Sequence, residues 1–294
     1  MKNELSILIP VYNNVCVGLV QQLVEQTKEF RNLQFEILVA DDGSDDAQSI
    51  KRNQEIVEYA NCKYITLEQN YGRSKVRNFL AQTAKYEWLL FLDCDVKLPN
   101  FFLRNYLEDT TESVVYGGVR ILGDQFMRES NLKCRYESQE SAKHLIDERQ
   151  ANPYKSFRST GFLASKEVML RCPFDERFVR YGYEDVLLGK TLAENHIPIL
   201  HINNPVQIDQ FDNNGDYLAK IEDSLHTLHT FRRDLEGYST LLAKVNALRK
   251  FKAVWLVKIW HALFGKVERH NLLGKSPNLT TFKIYKLGYY LCIK

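Results

Sequence analysis

The residues best placed to do chemistry are two acids, Asp93 and Asp95, which follow a continuous apolar run at Trp88–Leu92. Such a run indicates a strand that is buried on both faces of a sheet. Carboxylates at the end of a buried strand can face a crevice and bind a hard cation such as Mg²⁺, which takes oxygen ligands and shares them with substrate phosphates. The alternative for so short a pattern is an ordinary turn or a helix cap. Cys94, between the two acids, should point away from them into the core.

The first half of the chain alternates strand and helix patterns, which predicts crossover units and a mostly parallel sheet. Predicted strands cover Leu5–Pro10, Phe35–Ala40, Lys63–Leu67 and Trp88–Leu92, and predicted helices cover Val17–Phe30, Ala47–Ala60 and Ser74–Ala84. Ligands of such sheets bind outside the carboxyl ends of the strands. Three polar clusters fall at those ends: Pro10-Val11-Tyr12, Asp41-Asp42 and Asp93-Cys94-Asp95. The fold class is therefore α/β, with the three clusters meeting at one edge of the sheet.

The second half has a less regular pattern. The predicted elements are a strand at Val114–Leu122, a polar helical or loop segment at 127–150, a helix from about Ser165, a helix at Val186–Asn195, a strand at Ile197–Ile202 and a helix at Leu218–Asp234. Gly117 and Gly118 lie inside the first of these strands. Glycine within a strand often marks the close approach of a ligand or of another backbone.

Length and composition favour one large domain, or one domain with an appendage, around a real core. The chain has 294 residues, of which 45% are apolar. Its six cysteines have no metal-binding or redox spacing, so free thiols in a reducing compartment are expected. We expect no signal peptide, because the apolar start is short and is broken by Pro10. No stretch reaches the ~18 apolar residues of a spanning helix, so a soluble or peripheral cytoplasmic protein is expected.

The charge is distributed unevenly along the chain. The net charge is +2, but residues 243–294 contain eleven Lys or Arg and a single acid, Glu268, which leaves the rest of the chain acidic. A helix predicted at Lys250–Phe264 combines aromatic and basic side chains, which fits a helix lying in the interface of an anionic membrane. The alternative is that this helix packs on the catalytic domain or on a partner subunit.

Taken together, five segments resemble those of family 2 glycosyltransferases with the GT-A fold. In order along the chain they are Ser6-Ile7-Leu8-Ile9-Pro10-Val11-Tyr12-Asn13, Val39-Ala40-Asp41-Asp42-Gly43-Ser44, Asn70-Tyr71-Gly72-Arg73 with Arg77-Asn78, Asp93-Cys94-Asp95, and Tyr181-Gly182-Tyr183-Glu184-Asp185. The resemblance covers about residues 4–230. It implies a GT-A catalytic domain over 1–230, with a mostly parallel nucleotide-binding sheet flanked by helices. The composition of the remaining residues, 231–294, predicts a helical basic C-terminal extension.

Residue chemistry and the resemblance together suggest a donor site. Pro10 and Tyr12, at the end of the first strand, are candidate nucleotide-binding residues, and Tyr12 could offer its ring to a flat base. Asp42 could accept a hydrogen bond from the imide of uracil, although Asp41–Ser44 also fits an ordinary turn. Arg77 could donate to the nucleotide or its diphosphate. The alternative for Arg77 is an exposed surface arginine.

The resemblance also implies roles for the acids. Asp93 would meet the ribose, and Asp95 would bind Mg²⁺ or Mn²⁺, which draws charge from the departing nucleoside diphosphate. Glu184 and Asp185 lie at the start of a predicted helix, where two acids are ordinarily only partners of the helix dipole. The resemblance implies instead that Asp185 is the general base, with Glu184 as its neighbour or an acceptor contact, and that the anomeric configuration inverts.

Two positions depart from the family pattern. Related sequences often carry a metal-binding histidine after the strand at Ile197–Ile202, whereas residues 204–209 contain none. His196 and His201 lie nearby; His201 could be a packed strand histidine, and Asp209 could replace the missing ligand. Gly161 stands where an asparagine is common, in a loop expected to shape the donor or acceptor pocket.

The expected function is therefore that of an inverting hexosyl- or N-acetylhexosaminyl-transferase. It would use a nucleotide-diphospho sugar, expected to be UDP-linked, with Mg²⁺ or Mn²⁺, and a glycan or lipid-linked acceptor, at the inner face of the plasma membrane. No nucleic-acid partner is expected. One alternative is a sugar-nucleotide nucleotidyltransferase, although Pro10–Asn14 lacks the glycine-rich phosphate loop of that class. The other is a catalytically degenerate GT-A scaffold at the membrane.

Overall fold

The computed structural model describes residues 2–108 and 112–294, apart from the side chain of His144. The chain forms two compact units. The first comprises the residues up to Arg120 together with Lys143–Val179 and Glu184–Gln210, and the second comprises Ile121–Ala142, Arg180–Tyr183 and Phe211–Lys294. The predicted division into 1–230 and 231–294 stays a prediction.

Nine strands are present among the described residues. They are β1 Glu4–Val11, β2 Gln34–Asp41, β3 Cys62–Thr66, β4 Trp88–Leu92, β5 Val114–Tyr116, β6 Val119–Ile121, β7 Gly161–Ser165, β8 Ile199–His201 and β9 Val206–Ile208. Seven of them form one sheet in the order β3-β2-β1-β4-β7-β5-β8, and β6 pairs separately with β9. The main sheet is parallel except for β7, which runs antiparallel to both β4 and β5. The predicted α/β fold with a mostly parallel sheet is confirmed.

The α-helices of the described chain lie between and beyond these strands. They are α1 Val17–Thr27, α2 Ala47–Asn53, α3 Arg73–Thr83, α4 Phe102–Leu107, α5 Gln125–Ser130, α6 Leu132–Gln139, α7 Ile146–Ala151, α8 Lys166–Arg171, α9 Glu184–Glu194, α10 Asn214–Thr230, α11 Thr240–Lys250, α12 Val254–Leu273 and α13 Leu279–Cys292. The helix predicted over Ala47–Ala60 is shorter, because α2 gives way to a 3₁₀ turn at Gln54–Glu58.

Apolar packing on both sides of the sheet explains why its inner strands β1 and β4 are nearly continuous hydrophobic runs. On β1, Leu5, Ile7 and Ile9 pack with α1 and α4 in one core. Leu8 of the same strand points to the other face and packs with α3, α8 and α9 in a second core. Because both faces of such a strand are buried, consecutive residues are apolar, and apolar and polar residues do not alternate along it. The two cores hold the strand ends in fixed positions.

The strand predicted over Val114–Leu122 is interrupted at its two glycines. β5 ends at Tyr116 and β6 begins at Val119, because Gly118 adopts a left-handed φ of 94°. A Cβ on Gly117 would lie 2.2 Å from the carbonyl oxygen of Asn204, which no side chain could tolerate. The predicted close approach of another backbone at these glycines is therefore confirmed, and it brings the segment after β8 against β5.

The second unit consists of helices around its own small core. Leu218 of α10, Leu272 of α12 and Phe282 of α13 are buried together with Leu132 of α6. The helix predicted over Lys250–Phe264 differs in its limits, because Lys252 is left-handed (φ 54°) and α12 starts after it, at Val254, and continues to Leu273. None of the helices described here has both the length and the hydropathy needed to cross a membrane.

Candidate active site

The ends of β1 and β2 are joined by a small network of hydrogen bonds. Asn13, in a left-handed conformation (φ 48°), donates its side-chain amide to Asp45 over 2.7 Å and its backbone N–H to Ser44 Oγ over 2.8 Å. Pro10 lies at the end of β1, half-buried, and the Tyr12 side chain beyond it is 46% exposed. An exposed ring held on an anchored loop is available to stack with a flat ligand.

Asp42 fixes the loop that leads into α3. Its two carboxylate oxygens accept the backbone N–H groups of Tyr71 and Gly72, at 2.8 Å and 2.9 Å. Burial raises the pKa of Asp42, and these two hydrogen bonds oppose the rise. The predicted turn at Asp41–Ser44 is present, because the Asp41 carboxylate accepts the Ser44 N–H over 2.8 Å. Asp42 is thus well ordered at the carboxyl edge of the sheet, and its contact with a uracil ring stays a prediction.

Gly43 allows this turn to press against the following loop. Its φ is +71°, and a Cβ there would lie 2.3 Å from the backbone carbon of Gln69. Only glycine meets both requirements, the left-handed backbone and the contact distance. The packing aligns the β2 turn with the loop that Asp42 binds.

Arg77 connects the end of β4 to the start of α9. Its guanidinium is 2% exposed and donates to Asp93 Oδ1 over 2.7 Å. On the other side, its Nη1 lies 3.5 Å from Glu184 Oε1, and Arg73 Nη1 lies 3.9 Å from the same oxygen. The alternative of an exposed surface arginine is therefore wrong. A direct contact between Arg77 and a diphosphate stays a prediction, and in the structure Arg77 holds two acids in place.

Asp185 lies beside Glu184 in the first turn of α9. Burial raises the pKa of the Asp185 carboxyl; the Arg158 guanidinium, 3.9 Å away, opposes the rise, and Glu184 adds to it. Asp185 Oδ1 accepts the N–H of Val186 over 2.8 Å. A carboxylate whose pKa is moved toward neutrality is suited to take a proton in a reaction.

Sequence reasoning missed Arg158, which lies close to Asp185. Its position directly before Ser159-Thr160-Gly161-Phe162 was the available signal, since that loop was expected to shape the pocket. The antiparallel strand β7 begins at Gly161, and the Thr160 carbonyl accepts the Asp93 N–H over 3.0 Å. Insertion of β7 beside β4 thus brings the Arg158 loop to the acids after β4.

The predicted metal ligand, Asp95, is half-buried after β4, in a segment paired with the one that carries Asp209. Lys97 and Gln207 exchange two backbone hydrogen bonds of 2.8 Å, which brings these segments side by side. Asp209 forms an ion pair with Lys97 through Oδ2, while its buried Oδ1 has no hydrogen-bond partner. Carboxylate oxygens are donors that suit a hard cation, and an orphaned one is available to a ligand.

Within residues 2–108 and 112–294, no three His, Cys, Asp or Glu side chains come together as a metal site. One or two carboxylates suffice for Mg²⁺ when substrate phosphates complete its shell, so the residues present fit such an ion. Burial raises the pKa of the Cys94 thiol far above its usual range, which argues against a thiolate ligand.

His201 is a packed strand histidine, one of the two interpretations of the sequence. It is 2% exposed on β8, with Nδ1 3.1 Å from Arg149 Nη1 and Nε2 3.0 Å from the Pro153 carbonyl oxygen. Because the guanidinium only donates, Nδ1 must accept and the Nε2–H must donate. Both ring nitrogens are engaged, so His201 offers no lone pair to a metal. His196 is exposed at the end of α9.

Comparison with known proteins identifies the class of this fold. The solved structure of Staphylococcus aureus TarS 1–349 in complex with UDP-GlcNAc aligns with 98% of the chain and 89% of TarS 1–349, at 16% identity and a TM-score of 0.54. The mannosyltransferase PcManGT from Pyrobaculum calidifontis, in complex with GDP-Man and Mn²⁺, aligns with 98% of the chain and 84% of PcManGT, at 13% identity and a TM-score of 0.58. The fold is that of the GT-A glycosyltransferases.

The sequence model of the family described as glycosyl transferase family 2 matches residues 6–172, more than half of the chain. The chain belongs to this family, and the predicted resemblance is confirmed.

Curated relatives are similar over parts of their length. The chain is 28% identical over 225 residues to chondroitin synthase from Pasteurella multocida, which covers 64% of the chain and 23% of that protein. It is 28% identical over 107 residues to the teichoic acid poly(glycerol phosphate) polymerase of Staphylococcus epidermidis, covering 36% of the chain and 15% of the polymerase. The chain thus spans less than a quarter of either relative.

Proposed function

We propose that the protein is an inverting glycosyltransferase that moves a hexosyl or N-acetylhexosaminyl group from a nucleotide-diphospho sugar to a hydroxyl group of a glycan or lipid-linked acceptor. The observation that carries the proposal is the Arg77 guanidinium shared by Asp93 and Glu184. It brings the acids after β4 and the acids that start α9 to one place, where a donor and a base must meet.

The donor binds along the carboxyl edge of the sheet. Tyr12 stacks on the base, Asp42 accepts from its imide, and Asp93 meets the ribose. The order of Asp42, which two backbone N–H groups hold, supports this assignment. We favour UDP as the nucleotide, because TarS, a solved structure of similar fold, is in complex with UDP-GlcNAc. PcManGT is in complex with GDP-Man, so GDP is the alternative nucleotide to test.

Asp95 would hold Mg²⁺ or Mn²⁺, with Asp209 as a second oxygen ligand in place of the histidine that the family pattern leads one to expect. The ion would supply positive charge to the leaving diphosphate. The buried, unpartnered Oδ1 of Asp209 supports this pairing. Binding at Asp209 would require Lys97 to share or release its partner.

Asp185 acts as the general base. As the acceptor oxygen attacks the anomeric carbon, its proton passes to the Asp185 carboxylate, the new C–O bond forms, and the electron pair of the bond to phosphate leaves with the nucleoside diphosphate. Attack opposite the leaving group inverts the anomeric configuration. The raised pKa of Asp185 supports a carboxyl group that can hold a proton in the transition state. The nearby Arg158, which opposes that rise, supports the ionised form that must first accept the proton.

We place the enzyme on the cytoplasmic side of the plasma membrane, where the basic segment 243–294 meets an anionic surface. The charge of this segment, with eleven basic residues and one acid, supports that placement. The curated relatives, a chondroitin synthase and a teichoic acid polymerase by name, support a surface glycan as the acceptor class.

The decisive experiment replaces the base without disturbing the donor site. Asp185→Asn should lower kcat for sugar transfer by about 10²–10⁴-fold, because the amide cannot take the acceptor proton. Binding of UDP, measured by calorimetry, should stay within a few-fold of wild type. The matched control is Asp147→Asn, an exposed acid in the first turn of α7, which loses the same interaction with a helix dipole.

Two outcomes would count against the assignment. Equal loss of activity in both variants, or loss of UDP binding in Asp185→Asn, would make Asp185 a structural residue. Donor binding by the wild type without turnover over a broad acceptor panel would favour the degenerate scaffold. Membership of a glycosyltransferase family gives the nucleotidyltransferase alternative no support.

A further inference from the structure

One helix of the second unit exposes a continuous apolar surface. Five large side chains of α12 are each more than half exposed: Trp255 (59%), Leu256 (53%), Ile259 (51%), Leu263 (68%) and Val267 (66%). Their spacing of three, four and seven residues puts them on one side of the helix. We call these five residues the α12 apolar face. Apolar surface gathered in this way, rather than scattered singly, marks an interaction site.

The opposite side of α12 is fixed by packing. Leu272 is fully buried in the core of the second unit, and Glu268, 7% exposed, accepts the Trp260 Nε1–H over 2.7 Å. His261 packs so tightly against α13 that a Cβ on Gly288 would lie 2.6 Å from its Nδ1. These inward contacts set the rotation of the helix, so its apolar face is directed outward by the fold.

Basic residues surround this face. Lys258 and Lys266 are exposed on α12 itself, and Lys250 and Lys252 are exposed just before it. The single acid of residues 243–294 is Glu268, which faces inward. An apolar face accompanied by cations, on a segment whose single acid is buried, matches an acyl layer beneath anionic headgroups.

We propose that α12 lies in the interface of an anionic lipid bilayer and inserts the α12 apolar face below the headgroups. A second copy of the chain is a poorer occupant. Two-fold pairing through this face would bring the lysines of both copies together in a desolvated contact, and residues 243–294 supply no exposed acid to neutralise them. An anionic bilayer supplies both an apolar layer for the side chains and phosphates for Lys258 and Lys266.

This inference goes beyond the proposed membrane placement, because it makes insertion of named side chains, and not only charge attraction, responsible for binding. Attraction to basic residues alone is screened by salt, whereas burial of apolar side chains is not. The two mechanisms therefore predict different responses to ionic strength and to apolar substitutions.

The test is co-sedimentation of the full chain with phosphatidylcholine vesicles that contain or lack phosphatidylglycerol. Leu263→Ser with Val267→Ser should lower the partition coefficient on the anionic vesicles by about tenfold or more, at low and at high salt. Val57→Ser with Phe126→Ser, exposed apolar positions elsewhere at 61% and 72%, is the matched control and should bind like wild type. Lys258→Gln with Lys266→Gln should weaken binding only to the anionic vesicles.

Wild-type affinity of the Leu263 and Val267 variant would overturn the proposal in favour of charge attraction alone. Absence of vesicle binding, with a concentration-dependent dimer in light scattering that the same variant abolishes, would assign the face to a second copy. Vesicle binding does not depend on sugar transfer, so an inactive enzyme that still binds vesicles would count against the proposed catalysis and not against this inference.

Discussion

Replacement of Arg77 should show whether this residue positions the acids of the proposed active site or only stabilises the fold. Its two terminal nitrogens face different acids, Asp93 and Glu184, and its guanidinium also lies over the Phe174 ring. Lysine keeps the charge but is a single point donor, so it cannot serve both acids in this planar arrangement. Arg77→Lys should therefore lower kcat by about 10–100-fold through small displacements of the reacting groups.

The measurement combines steady-state kinetics with urea unfolding. Arg52→Lys, at an exposed pair with Glu55, is the matched control and should leave both unchanged. If Arg77→Lys unfolded at a lower urea concentration but kept its kcat at temperatures where it is folded, Arg77 would be needed for stability only.

Among the elements, α7 is fastened to β5 and β8 by a buried arginine. Arg149 is 1% exposed and donates to the carbonyl oxygens of Tyr116, Gly117 and Ile202, while His201 accepts from the same guanidinium. Burial, and the adjacent positive charge of Arg149, lower the pKa of His201 to about 4. The contact between Arg149 and His201, which helps to hold α7, therefore requires His201 to stay neutral.

This contact predicts a loss of stability in acid. Between the ordinary histidine pKa near 6.5 and the folded value of about 4, the unfolded chain binds a proton that the folded chain does not. The contribution of neutral His201 is therefore complete above pH 6.5 and is lost as the pH falls toward 4. The free energy of unfolding should fall by on the order of 3 kcal/mol from this group over that range.

Urea unfolding at a series of pH values would measure this effect. His201→Gln should be less stable than wild type at pH 7.5 but should show a shallower decline between pH 6.5 and 4. His196→Gln, an exposed histidine at the end of α9, serves as control. Parallel wild-type and His201→Gln curves would show that other groups cause the acid dependence.

Strands β1, β2 and β4 could be predicted from sequence because both of their faces are buried, which produces short apolar runs. The interruption between β5 and β6 could not, since it depends on the Asn204 backbone more than 80 residues away in sequence. The burial of Arg149 was equally inaccessible. It lies in a polar segment typical of the surface, and it is buried because two other segments, Tyr116-Gly117 and the one with Ile202, present three carbonyl groups to it.

At the scale of the whole molecule, the order of the five motifs along the chain was enough to predict the family. The positions of Arg158 and Asp209 needed the topology. Arg158 precedes β7, whose antiparallel insertion between β4 and β5 has no signature in a single sequence. Asp209 reaches the Asp95 segment through one isolated bridge at Lys97 and Gln207.

Donor and metal binding should stabilise the whole fold. A ligand that binds only the folded chain at 100 times its dissociation constant adds about 2.7 kcal/mol, which is a rise of a few degrees in the melting temperature. UDP with Mn²⁺ should raise it more than UDP alone. Asp95→Ala should abolish the additional rise from Mn²⁺ and leave the smaller rise from UDP.

A thermal-shift screen of UDP and GDP sugars, with and without Mn²⁺, measures this directly. Asp147→Ala, at an exposed acid on α7, controls for the loss of one carboxylate. An identical Mn²⁺ response in wild type and Asp95→Ala would remove Asp95 from the metal site. A larger response to GDP sugars than to UDP sugars would correct the proposed nucleotide.

The guanidinium shared by Asp93 and Glu184 also constrains how such an enzyme can be re-engineered. A change that shifts Asp93, the acid proposed to meet the ribose, is transmitted through the planar Arg77 guanidinium to Glu184, the neighbour of the proposed base. Altered sugar-nucleotide preference should therefore be sought first at Tyr12, whose exposed ring lies on a loop with separate anchors at Ser44 and Asp45. Libraries of substitutions at Tyr12 should change nucleotide recognition without moving Arg77, Asp93 or Glu184.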